Sequence, residues 1–243
     1  MSPAEAISLI PLRGIGEVTP GADLAAMVAG ALSPTNPSGP DLAPGDVLVV
    51  TQKVVSKAEG RLVAIDADDP AAKVALVEQE SARVVRRRGE LIISETPHGF
   101  ICANAGIDLS NVDEGTAALL PEDADRSARG LRAALRNLTG VDIAVIISDT
   151  FGRPWRQGVT DVAIGCAGVA AVIDLKGTLD ANGRMLVATE VCVADELASA
   201  AELVMGKDRG VPAAIVRGVP ASWLRPSSVH DEIVRPASED LFR

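Results

Sequence analysis

Acidic and hydroxyl side chains that could bind a metal ion follow an apolar run in residues 143–158, IAVIISDTFGRPWRQG. The β-branched residues 143–147 predict a buried strand, and Ser148, Asp149 and Thr150 come directly after it. Carboxylate and hydroxyl oxygens are hard ligands of the kind that divalent cations prefer. The sequence therefore indicates either a metal site at this strand end or a capped turn, in which the same side chains only satisfy loop amides.

Two arginines follow these oxygen donors and flank an aromatic residue, in the order Arg153, Trp155, Arg156. A guanidinium group presents paired N–H donors that match the geometry of a phosphate or a carboxylate. Gly152 and Pro154 do not continue a strand, so the arginines are predicted to lie on a loop. This loop is a candidate binding site for an anionic ligand beside the metal site.

A second carboxylate is expected from the loop NAGIDLSN at residues 104–111, in which six of the eight residues are small or polar. Asp108 could supply another metal ligand, and the amide of Asn111 could bind a nucleotide base or a phosphate. The alternative is an Asx turn, in which these side chains bond only to the nearby backbone.

Two lysines, Lys53 and Lys57, follow a predicted strand at residues 46–50 in the stretch TQKVVSKAEGR. Strand alternation predicts Lys53 and Val55 on one face of this segment, and Val54 and Ser56 on the other. Such cations could neutralise the charge of a phosphate. They could equally protect an exposed sheet edge from pairing with another strand.

A glycine-rich turn, RGIGE at residues 13–17, leads towards a predicted helix at residues 23–32. Backbone N–H groups in such turns can contact a phosphate. The complete GxGxxG pattern is absent because residue 19 is threonine, so a plain tight turn is the favoured interpretation.

The elements that must position these residues can be predicted from hydrophobic periodicity and from helix start and stop signals. Further strands are predicted at residues 7–12, 90–94, 185–189 and 211–216, further helices at residues 69–88, 121–138 and 190–205, and a turn-rich hairpin at residues 174–184. Residues 218–243 contain three prolines and are predicted to form a loosely structured tail.

The composition argues against several classes of protein. The chain of 243 residues is 47% hydrophobic, which suffices for one large domain or two closely packed subdomains. No apolar run approaches the ~20 residues that span a bilayer. A net charge of −10 and only five aromatic residues disfavour a nucleic-acid partner. Three cysteines without a CxxC pair, two histidines and no signal peptide argue against a zinc cage and fit a reducing cytoplasm.

Two carboxylates on loops, neighbouring hydroxyls and several cations suit metal-dependent phosphoryl transfer. Neither the GxxxxGK[ST] phosphate loop nor the GxSxG nucleophile elbow occurs in the sequence. The residues by themselves therefore indicate phosphate chemistry but do not identify a substrate.

Four separated motifs in a fixed order are far more specific than any one of them. The stretches are TQKVVSKAEGR (51–61), NAGIDLSN (104–111), SDTFGRPWRQG (148–158) and TEVCVADELASAAELVMGK (189–207). Together they resemble the coenzyme F420-0:γ-glutamyl ligase family, and the similarity covers about residues 7–218. Bacterial relatives often carry this unit as the N-terminal half of a longer two-domain protein, so the resemblance implies either the stand-alone ligase or one domain of the longer form.

The resemblance implies an α+β fold with mixed and antiparallel sheets, packed helices and an intertwined homodimer. It further implies a ligase that uses GTP and Mg²⁺ or Mn²⁺ to join L-glutamate to the deazaflavin precursor F420-0, and to add further γ-linked glutamates. A monovalent cation such as K⁺ is an additional candidate cofactor. The precursor's carboxylate would take the γ-phosphate of GTP, and the glutamate amine would then displace phosphate from the acyl phosphate.

The resemblance also assigns roles to residues. Asp108, Asp149 and Thr150 would hold the metal ions. The two aspartates would act in catalysis together with Lys57, whose ammonium is a point charge for a phosphate. Contacts to GTP would come from Gly14, Ile15, Gly16, Glu17, Gln52, Lys57 and Asn111, and from the loop formed by Met205, Gly206, Lys207, Asp208, Arg209, Gly210, Val211 and Pro212.

Two alternative functions share these motifs. A related GTP-dependent ligase could act on another carboxylic acid, because the motifs bind nucleotide and metal rather than the acceptor. A non-catalytic nucleotide-binding subunit would bind GTP without turnover, although the retained carboxylates and Lys57 argue against it. For a ligase, we hypothesise that Arg153 and Arg156 hold an anionic part of the precursor or of the incoming glutamate.

Overall fold

The computed structural model describes residues 6–32, 39–66, 69–110 and 112–242, and it shows a mixed α+β fold with several sheets. The strands are β1 (Ser8–Leu12), β2 (Val47–Thr51), β3 (Leu62–Ala64), β4 (Arg83–Arg88), β5 (Leu91–Glu95), β6 (Ile101–Ala103), β7 (Thr116–Ala118), β8 (Ala144–Gly152), β9 (Val159–Ala167), β10 (Ile173–Asp174), β11 (Glu190–Val191) and β12 (Ala213–Arg217). The α-helices are α1 (Leu24–Ala31), α2 (Gln52–Ala58), α3 (Pro70–Gln79), α4 (Ala124–Thr139), α5 (Val193–Met205) and α6 (Val229–Glu232). The α+β class expected from the sequence is thus confirmed.

The central sheet has five strands in the order β1-β12-β2-β8-β9. Strands β2 and β8 run parallel, and the other neighbours are antiparallel. Because the carboxyl ends of parallel strands meet at one edge of a sheet, Thr51 at the end of β2 pairs with Ser148. The polar residues that follow β2 and those within β8 are therefore brought to the same edge.

Hydrophobic cores on both faces hold this sheet in place. On β2, Leu48 and Val50 belong to the core covered by α1 and α4, whereas Val47 and Val49 belong to the core covered by α5. All four side chains are completely buried, and burial of each contributes about 1.5–3 kcal/mol. This continuous apolar character is expected of a strand that is covered on both sides.

Strand β8 extends further than the sequence predicts. The apolar run ends at Ile147, but β8 continues to Gly152, because its polar residues pair with β9. The register shifts after Ile147: Ile147 pairs with Gly165 and Ser148 pairs with Ala163, which leaves Ile164 of β9 without a partner. This is the arrangement of a β-bulge, which bends a hairpin and redirects its side chains.

The helix predicted at residues 69–88 is wrong in its second half. Helix α3 ends at Gln79, and Arg83–Arg88 form strand β4, antiparallel to β5. Val84 falls on the apolar stripe of the predicted helix. Together with Val85, however, it is β-branched, and such residues favour a strand where a partner strand is available.

Two predicted strands are also wrong. The segment after β2 is helix α2 rather than a strand, so Lys53 and Lys57, four residues apart, share one helical face. Residues 185–189 form no strand, since their ladder pairing is a single bridge between Leu179 and Met185. The hairpin predicted nearby exists in a longer form that β10 and β11 close.

The remaining predicted strands and helices occur with boundary shifts of up to three residues. Helix α4 begins after Asp123, whose carboxylate accepts the N–H of Arg126 at 2.7 Å, and ends at Gly140 with φ 73°. Helix α5 ends at Gly206. The segment between that glycine and Ala213, the first residue of β12, runs along the sheet edge at which β2 ends, since the Thr51 N–H donates to the carbonyl of Pro212.

The segment after β12, for which the sequence predicts a loose tail, contains α6 and two single 3-10 turns. The carboxylate of Asp125 on α4 accepts the N–H groups of Val229 at 2.9 Å and His230 at 3.1 Å. The same carboxylate accepts the N–H of Cys166 on β9 at 2.8 Å, so α6 is fastened to α4 and β9 together. In the part of the chain that the structure describes, no helix combines the length and the apolar character needed to cross a bilayer.

Candidate active site

A cavity of about 800 Å³ lies at the edge where β2 ends and β8 continues. Its walls come from the turn before α1, from α2, from the loop before β7, from the β8–β9 hairpin and from the segment that joins α5 to β12. The lining residues are Ile15, Gly16, Glu17, Val18, Thr51, Gln52, Lys53, Val54, Lys57, Asp108, Ser110, Ser148, Asp149, Thr150, Val159, Asp161, Glu202, Gly206, Lys207, Asp208, Gly210, Val211 and Pro212. A second cavity, of about 370 Å³ between α1, α2 and α4, contains none of the predicted site residues.

The structure brings most of the predicted site residues together in the larger cavity. Those in its lining are Ile15, Gly16, Glu17, Gln52, Lys57, Asp108, Asp149, Thr150, Gly206, Lys207, Asp208, Gly210, Val211 and Pro212. Gly14, Met205 and Arg209 are not in the lining, and Met205 is completely buried in the core. Asn111 lies outside the described residues.

Asp108 is presented by a tight turn that follows β6. Asn104 and Ala105 adopt positive φ values of 50° and 53°, a conformation that costs free energy in residues other than glycine. The side-chain carbonyl of Asn104 accepts the N–H of Ile92 at 3.1 Å, which fastens the turn to β5. The position of the Asp108 carboxylate is therefore held by a strained but anchored backbone.

Lys53 neutralises Asp108. Its Nζ lies 2.8 Å from Oδ2 of Asp108 and donates to Oγ of Ser110 at 2.9 Å. The Ser110 N–H donates to Oδ1 of Asp108 at 2.6 Å, which is the Asx turn that the sequence left as an alternative. Burial would raise the pKa of Asp108, but the hydrogen bonds from Lys53 and Ser110 lower it. The Asx turn is thus present and keeps the carboxylate ionised.

Asp149 lies close to two other carboxylates. Burial raises the pKa of Asp149 to about 7, and the negative charges of Asp108 and Asp161 act in the same direction. A cation beside Asp149 would lower this pKa again, because it favours the ionised form. The surroundings of Asp149 therefore contain an excess of negative charge that a bound cation would relieve.

Asp161 on β9 is a cavity residue that the sequence analysis missed. It is 2% exposed; its Oδ2 accepts the hydroxyl of Ser148 at 3.0 Å, and its Oδ1 accepts the hydroxyl of Thr150 at 2.8 Å. Nζ of Lys207 donates to the same Oδ1 at 2.6 Å and also to Oγ1 of Thr150. The ammonium lies 3.2 Å from Oε1 of Glu202. The signal in the sequence is a single acidic residue in the otherwise apolar stretch VTDVAIGCA.

Asp149 and Thr150 project to opposite faces of the sheet. Along β8, Ile147 belongs to the core under α4, whereas Ile146 belongs to the core under α5. Alternation then places Asp149 on the α4 side and Thr150 on the α5 side, where Lys207 lies. We call the residues on the first side the Asp149 group (Asp149, Asp108, Lys53) and those on the second side the Asp161 group (Asp161, Ser148, Thr150, Glu202, Lys207).

Helix α2 supplies a second lysine and a structural glutamine. Nζ of Lys57 lies 2.5 Å from Oε1 of Glu17, whose side chain is 77% exposed. The side-chain amide of Gln52 donates to Oγ of Ser56 at 2.6 Å and to the carbonyl of Leu119 at 2.9 Å. These bonds engage both donors of the Gln52 amide within the protein, whereas the ion-pair partner of Lys57 among the described residues is the exposed Glu17.

Each of the three lysines that line the described cavity is therefore paired with a carboxylate. The pairs are Lys53 with Asp108, Lys57 with Glu17, and Lys207 with Asp161. A ligand that carries both a phosphate chain and a divalent cation could replace these pairs, because the phosphates would take the ammonium groups and the cation would take the carboxylates.

Arg153 and Arg156 lie on the turn between β8 and β9 and are not part of the cavity lining. Nη2 of Arg153 donates to the carbonyl of Gln157 at 2.7 Å. Trp155 between them has φ 59° and is 84% exposed, and its ring centroid lies 5.2 Å from that of Phe242. The hypothesis that these arginines hold an anion therefore concerns the exposed tip of the hairpin.

The donors of the Asp149 group fit a divalent cation that is shared with a substrate. Among the described residues, no three His, Cys, Asp or Glu side chains converge closely enough to hold a metal ion alone. Mg²⁺ is commonly bound through one or two carboxylates and completes its coordination with water and phosphate oxygens. Asp108 and Asp149 provide such a pair, and the hydroxyl of Thr150 is held by Asp161 and Lys207.

The chain is similar to a family of ligases over most of its length. The model of the family F420-0:Gamma-glutamyl ligase matches residues 14–218. The coenzyme F420:L-glutamate ligase of Methanothermobacter thermautotrophicus is 45% identical over 252 residues, which cover 98% of this chain and 99% of the relative. The proteins of the same name from Methanopyrus kandleri and Methanocaldococcus jannaschii are 43% and 39% identical, over 99% and 82% of this chain and 98% and 85% of the relatives.

Proposed function

The chain belongs to the F420-0:gamma-glutamyl ligase family, and on that premise we propose that it joins L-glutamate to the F420-0 precursor in a reaction driven by GTP and a divalent cation. Further γ-linked glutamates would be added in the same way. The observation that carries this proposal is the single cavity that unites the carboxylates and lysines of four separated sequence motifs.

In this proposal the lysines of α2 bind the phosphate chain of GTP. Lys53 and Lys57 lie on one helical face and both line the cavity. Lys57 would exchange the exposed carboxylate of Glu17 for a phosphate oxygen, a change that loses little because an ion pair with a solvated partner contributes only about 0–1 kcal/mol. The cavity-lining residues of the segment that joins α5 to β12 would complete the wall against the nucleotide.

Asp108 and Asp149 would hold Mg²⁺ or Mn²⁺, and K⁺ is a further candidate cation. When bound, a divalent cation neutralises the triphosphate and makes GDP a better leaving group. Asp149 must give up its proton to act as a ligand, because a protonated carboxyl group has lost most of its attraction for a cation. The Lys53 ammonium, displaced from Asp108, would then be free to contact a phosphate.

The proposed reaction has two displacements. An oxygen of the precursor's terminal carboxylate forms a bond to the γ-phosphorus while the bond from that phosphorus to the β–γ bridging oxygen breaks, and GDP leaves. The amine of L-glutamate then attacks the acyl carbon and loses a proton, the bond from carbon to the phosphate oxygen breaks, and inorganic phosphate leaves. In this proposal the protein holds GTP, the precursor and L-glutamate next to one another in the orientation that each displacement needs, and it keeps water away from the acyl phosphate.

We also propose that the protein is a homodimer. Leu179, Met185 and Val187 lie on the extension between β10 and β11, and their exposures are 66%, 64% and 82%. A second copy of the chain would cover these apolar side chains, as neighbouring exposed apolar groups commonly mark an interface. Sedimentation of the protein and of Val187→Glu tests this: the variant should shift towards the monomer, and a monomeric wild type would contradict the proposal.

A mass-spectrometric assay tests the proposed reaction. The purified protein is incubated with GTP, Mn²⁺, L-glutamate and unglutamylated F420-0, and products are compared with those of Asp149→Asn and of reactions with ATP or EDTA. The expected result is a series of products that differ by one glutamate residue, with GDP released in equal amount. The variant and the EDTA reaction should give no product, and ATP should not replace GTP.

The assay also separates the alternatives. GTP hydrolysis that depends on another carboxylic acid, but not on F420-0, would indicate a related ligase with a different acceptor. GTP binding without turnover, in the presence of all substrates and metals, would indicate a non-catalytic nucleotide-binding subunit and would contradict the proposal.

A further inference from the structure

The three-stranded sheet of β4, β5 and β6 has one face that α3 covers and one face that it does not. On the covered face, Val77 of α3, Ile92 and Ala105 form a buried cluster. Arg87 also belongs to this side, since it pairs with Glu78 on α3. Residues that pair directly across a sheet project to the same side. The register therefore defines an opposite face, which we call the basic face, with Arg83, Arg86, Arg88, Leu91, Ile93 and Glu95.

The basic face has an excess of positive charge. Arg83 pairs with Glu95 at 3.0 Å. Arg86 and Arg88 are exposed and have no ion-pair partner among the residues that the structure describes. The chain as a whole has a net charge of −10, so this local excess runs against its overall balance. Because guanidinium groups bind carboxylates through paired N–H donors, the face suits an anion with several carboxylates.

The proposed reaction produces an anion of this kind. Each γ-linked glutamate keeps its α-carboxylate free, so the product gains one negative charge with every residue that is added. Each residue also brings two methylene groups, which can cover Leu91, 44% exposed, and the half-buried Ile93 between the arginines. The next glutamate is joined to the γ-carboxylate at the end of this tail. That end must therefore stay in the cavity while the earlier residues extend out of it.

The basic face lies within reach of the cavity. Arg86, Ile93 and Ala103 form one row across the sheet, so the Cα atoms of Arg86 and Ala103 are about 10 Å apart. The chain from Ala103 to Asp108, which lines the cavity, spans at most about 17 Å. A γ-linked glutamate adds about 6 Å to an extended chain, because its main chain runs through the side-chain methylenes. A tail of about four residues therefore suffices to reach Arg86.

We propose that the basic face binds the γ-linked glutamate tail of the growing product, with Arg86 and Arg88 as its main carboxylate ligands. This inference rests on the proposed addition of further glutamates, and it concerns a site outside the cavity that would bind GTP. The first addition has no tail to bind. The face therefore acts only on longer acceptors, and it favours their further extension over their release.

Binding of tetra-γ-glutamate tests the site without any turnover. Calorimetry at low salt compares the wild type with the double variant Arg86→Glu/Arg88→Glu. The control is Arg136→Glu/Arg235→Glu, which makes the same change in net charge at exposed arginines outside this sheet. We expect the first variant to bind at least about tenfold more weakly, because two attractive pairs become repulsive, and the control to stay within about twofold of the wild type. Equal weakening in both variants, or no binding by the wild type, would overturn the inference.

The length of the product series connects the site with the reaction. Both double variants should add the first glutamate to F420-0 at a rate within about twofold of the wild type. Products with four or more glutamates should fall about fivefold or more in Arg86→Glu/Arg88→Glu alone, since only they reach the basic face. An unchanged series in that variant would overturn the inference and leave the proposed function intact. A wild type that adds no glutamate would contradict the proposed function and the inference with it.

Sedimentation separates the tail from another occupant of the same face. If a second copy of the chain covers the basic face, Arg86→Glu/Arg88→Glu should shift a dimer towards the monomer while the control variant does not. That result would overturn the inference, because the arginines would then contact the other copy. We expect both variants to have the oligomeric state of the wild type.

Discussion

The ammonium of Lys53 lies 2.8 Å from the carboxylate of Asp108, although the two residues come from a helix and from a loop more than fifty residues apart. The lysine lowers the pKa of Asp108 against the effect of burial. The ammonium occupies Oδ2 of that carboxylate, an oxygen that the proposed metal ion could use. In the proposed reaction, Lys53 would therefore have opposite effects on two ligands, because it would compete with the cation and attract the phosphate.

Replacement of Lys53 should separate these two effects. Lys53→Ala is expected to tighten Mn²⁺ binding to the protein alone, by roughly 3- to 10-fold, because Asp108 no longer has a competing cation. The same variant should raise the KM for GTP about 10-fold, which corresponds to the loss of one charge-assisted hydrogen bond of about 1.4 kcal/mol. Titration calorimetry and steady-state kinetics measure the two effects, with Lys176→Ala as the control. Unchanged Mn²⁺ affinity would contradict the competition.

In the ion pair of Lys57 and Glu17, replacing the lysine and replacing the glutamate should have different effects on catalysis. Lys57→Ala should raise the KM for GTP 10-fold or more, while the free energy of unfolding changes by less than about 1 kcal/mol, since the partner carboxylate is exposed. Glu17→Gln should leave turnover intact, because it frees the lysine for the phosphate. Equal losses in both variants would show that the ion pair itself matters, and not the lysine alone.

The raised pKa of Asp149 predicts how the stability of the protein without metal changes with pH. The folded protein binds this proton more tightly than the unfolded chain does, so the stabilisation is complete below pH ~4 and is lost as the pH rises through about 7. In EDTA, Asp149→Asn should therefore be nearly as stable as the wild type at pH 4, at the lower end of this range. At pH 8 it should be more stable by roughly 1–4 kcal/mol. Urea unfolding at the two pH values gives the comparison.

The same proton links metal binding to pH. Below about pH 7 the affinity of the wild type for Mn²⁺ should fall by up to about tenfold per pH unit, because Asp149 must first lose its proton. Above pH 7 the affinity should level off. Calorimetric titrations in buffers of different ionisation enthalpy should detect close to one proton released per ion at pH 6. An affinity for Mn²⁺ that does not change with pH would show that Asp149 is not a metal ligand.

Two glycines on neighbouring elements give a test of the packing that supports the site. A Cβ on Gly165 of β9 would lie 2.3 Å from the backbone carbonyl carbon of Ala124 at the start of α4, whereas a Cβ on Gly130 in α4 meets nothing within 4 Å. Gly165→Ala should cost about 3 kcal/mol or more, since backbone atoms cannot rotate away. Gly130→Ala should stabilise the protein by up to about 1 kcal/mol. Thermal unfolding of both variants measures these two changes in stability.

Much of the fold could be predicted from the sequence because its signals are local. The apolar runs that become β2 and β12 and the capping residues of α4 are visible without any knowledge of the tertiary structure. The segment after β2 was misassigned because seven residues are too few to distinguish a period of two from a period of 3.6. That error concealed the role of Lys53, which contacts Asp108 only because α2 is a helix.

The contacts of the candidate site that could not be predicted from the sequence depend on how strands and helices pair in the fold. Asp161 lies opposite Thr150 in the register of the β8–β9 hairpin, and that register is set by the bulge at Ile164. No local pattern specifies a bulge, so the sequence could not show which residue of β9 would meet Thr150. The same applies to Lys207, whose partners become evident only when α5 has been packed against β9.

The position of β12 between β1 and β2 governs when the cavity can form during synthesis. Four strands of the central sheet leave the ribosome before β12 does, yet β1 pairs with no other strand of that sheet. Until residues 213–217 emerge, one edge of β2 stays open and the chain from Gly206 to Pro212 has no strand to anchor it. If these residues contact GTP as we propose, a nascent chain lacks that part of the site, and binding of GTP should report completed translation of the sheet rather than the folding of any single motif.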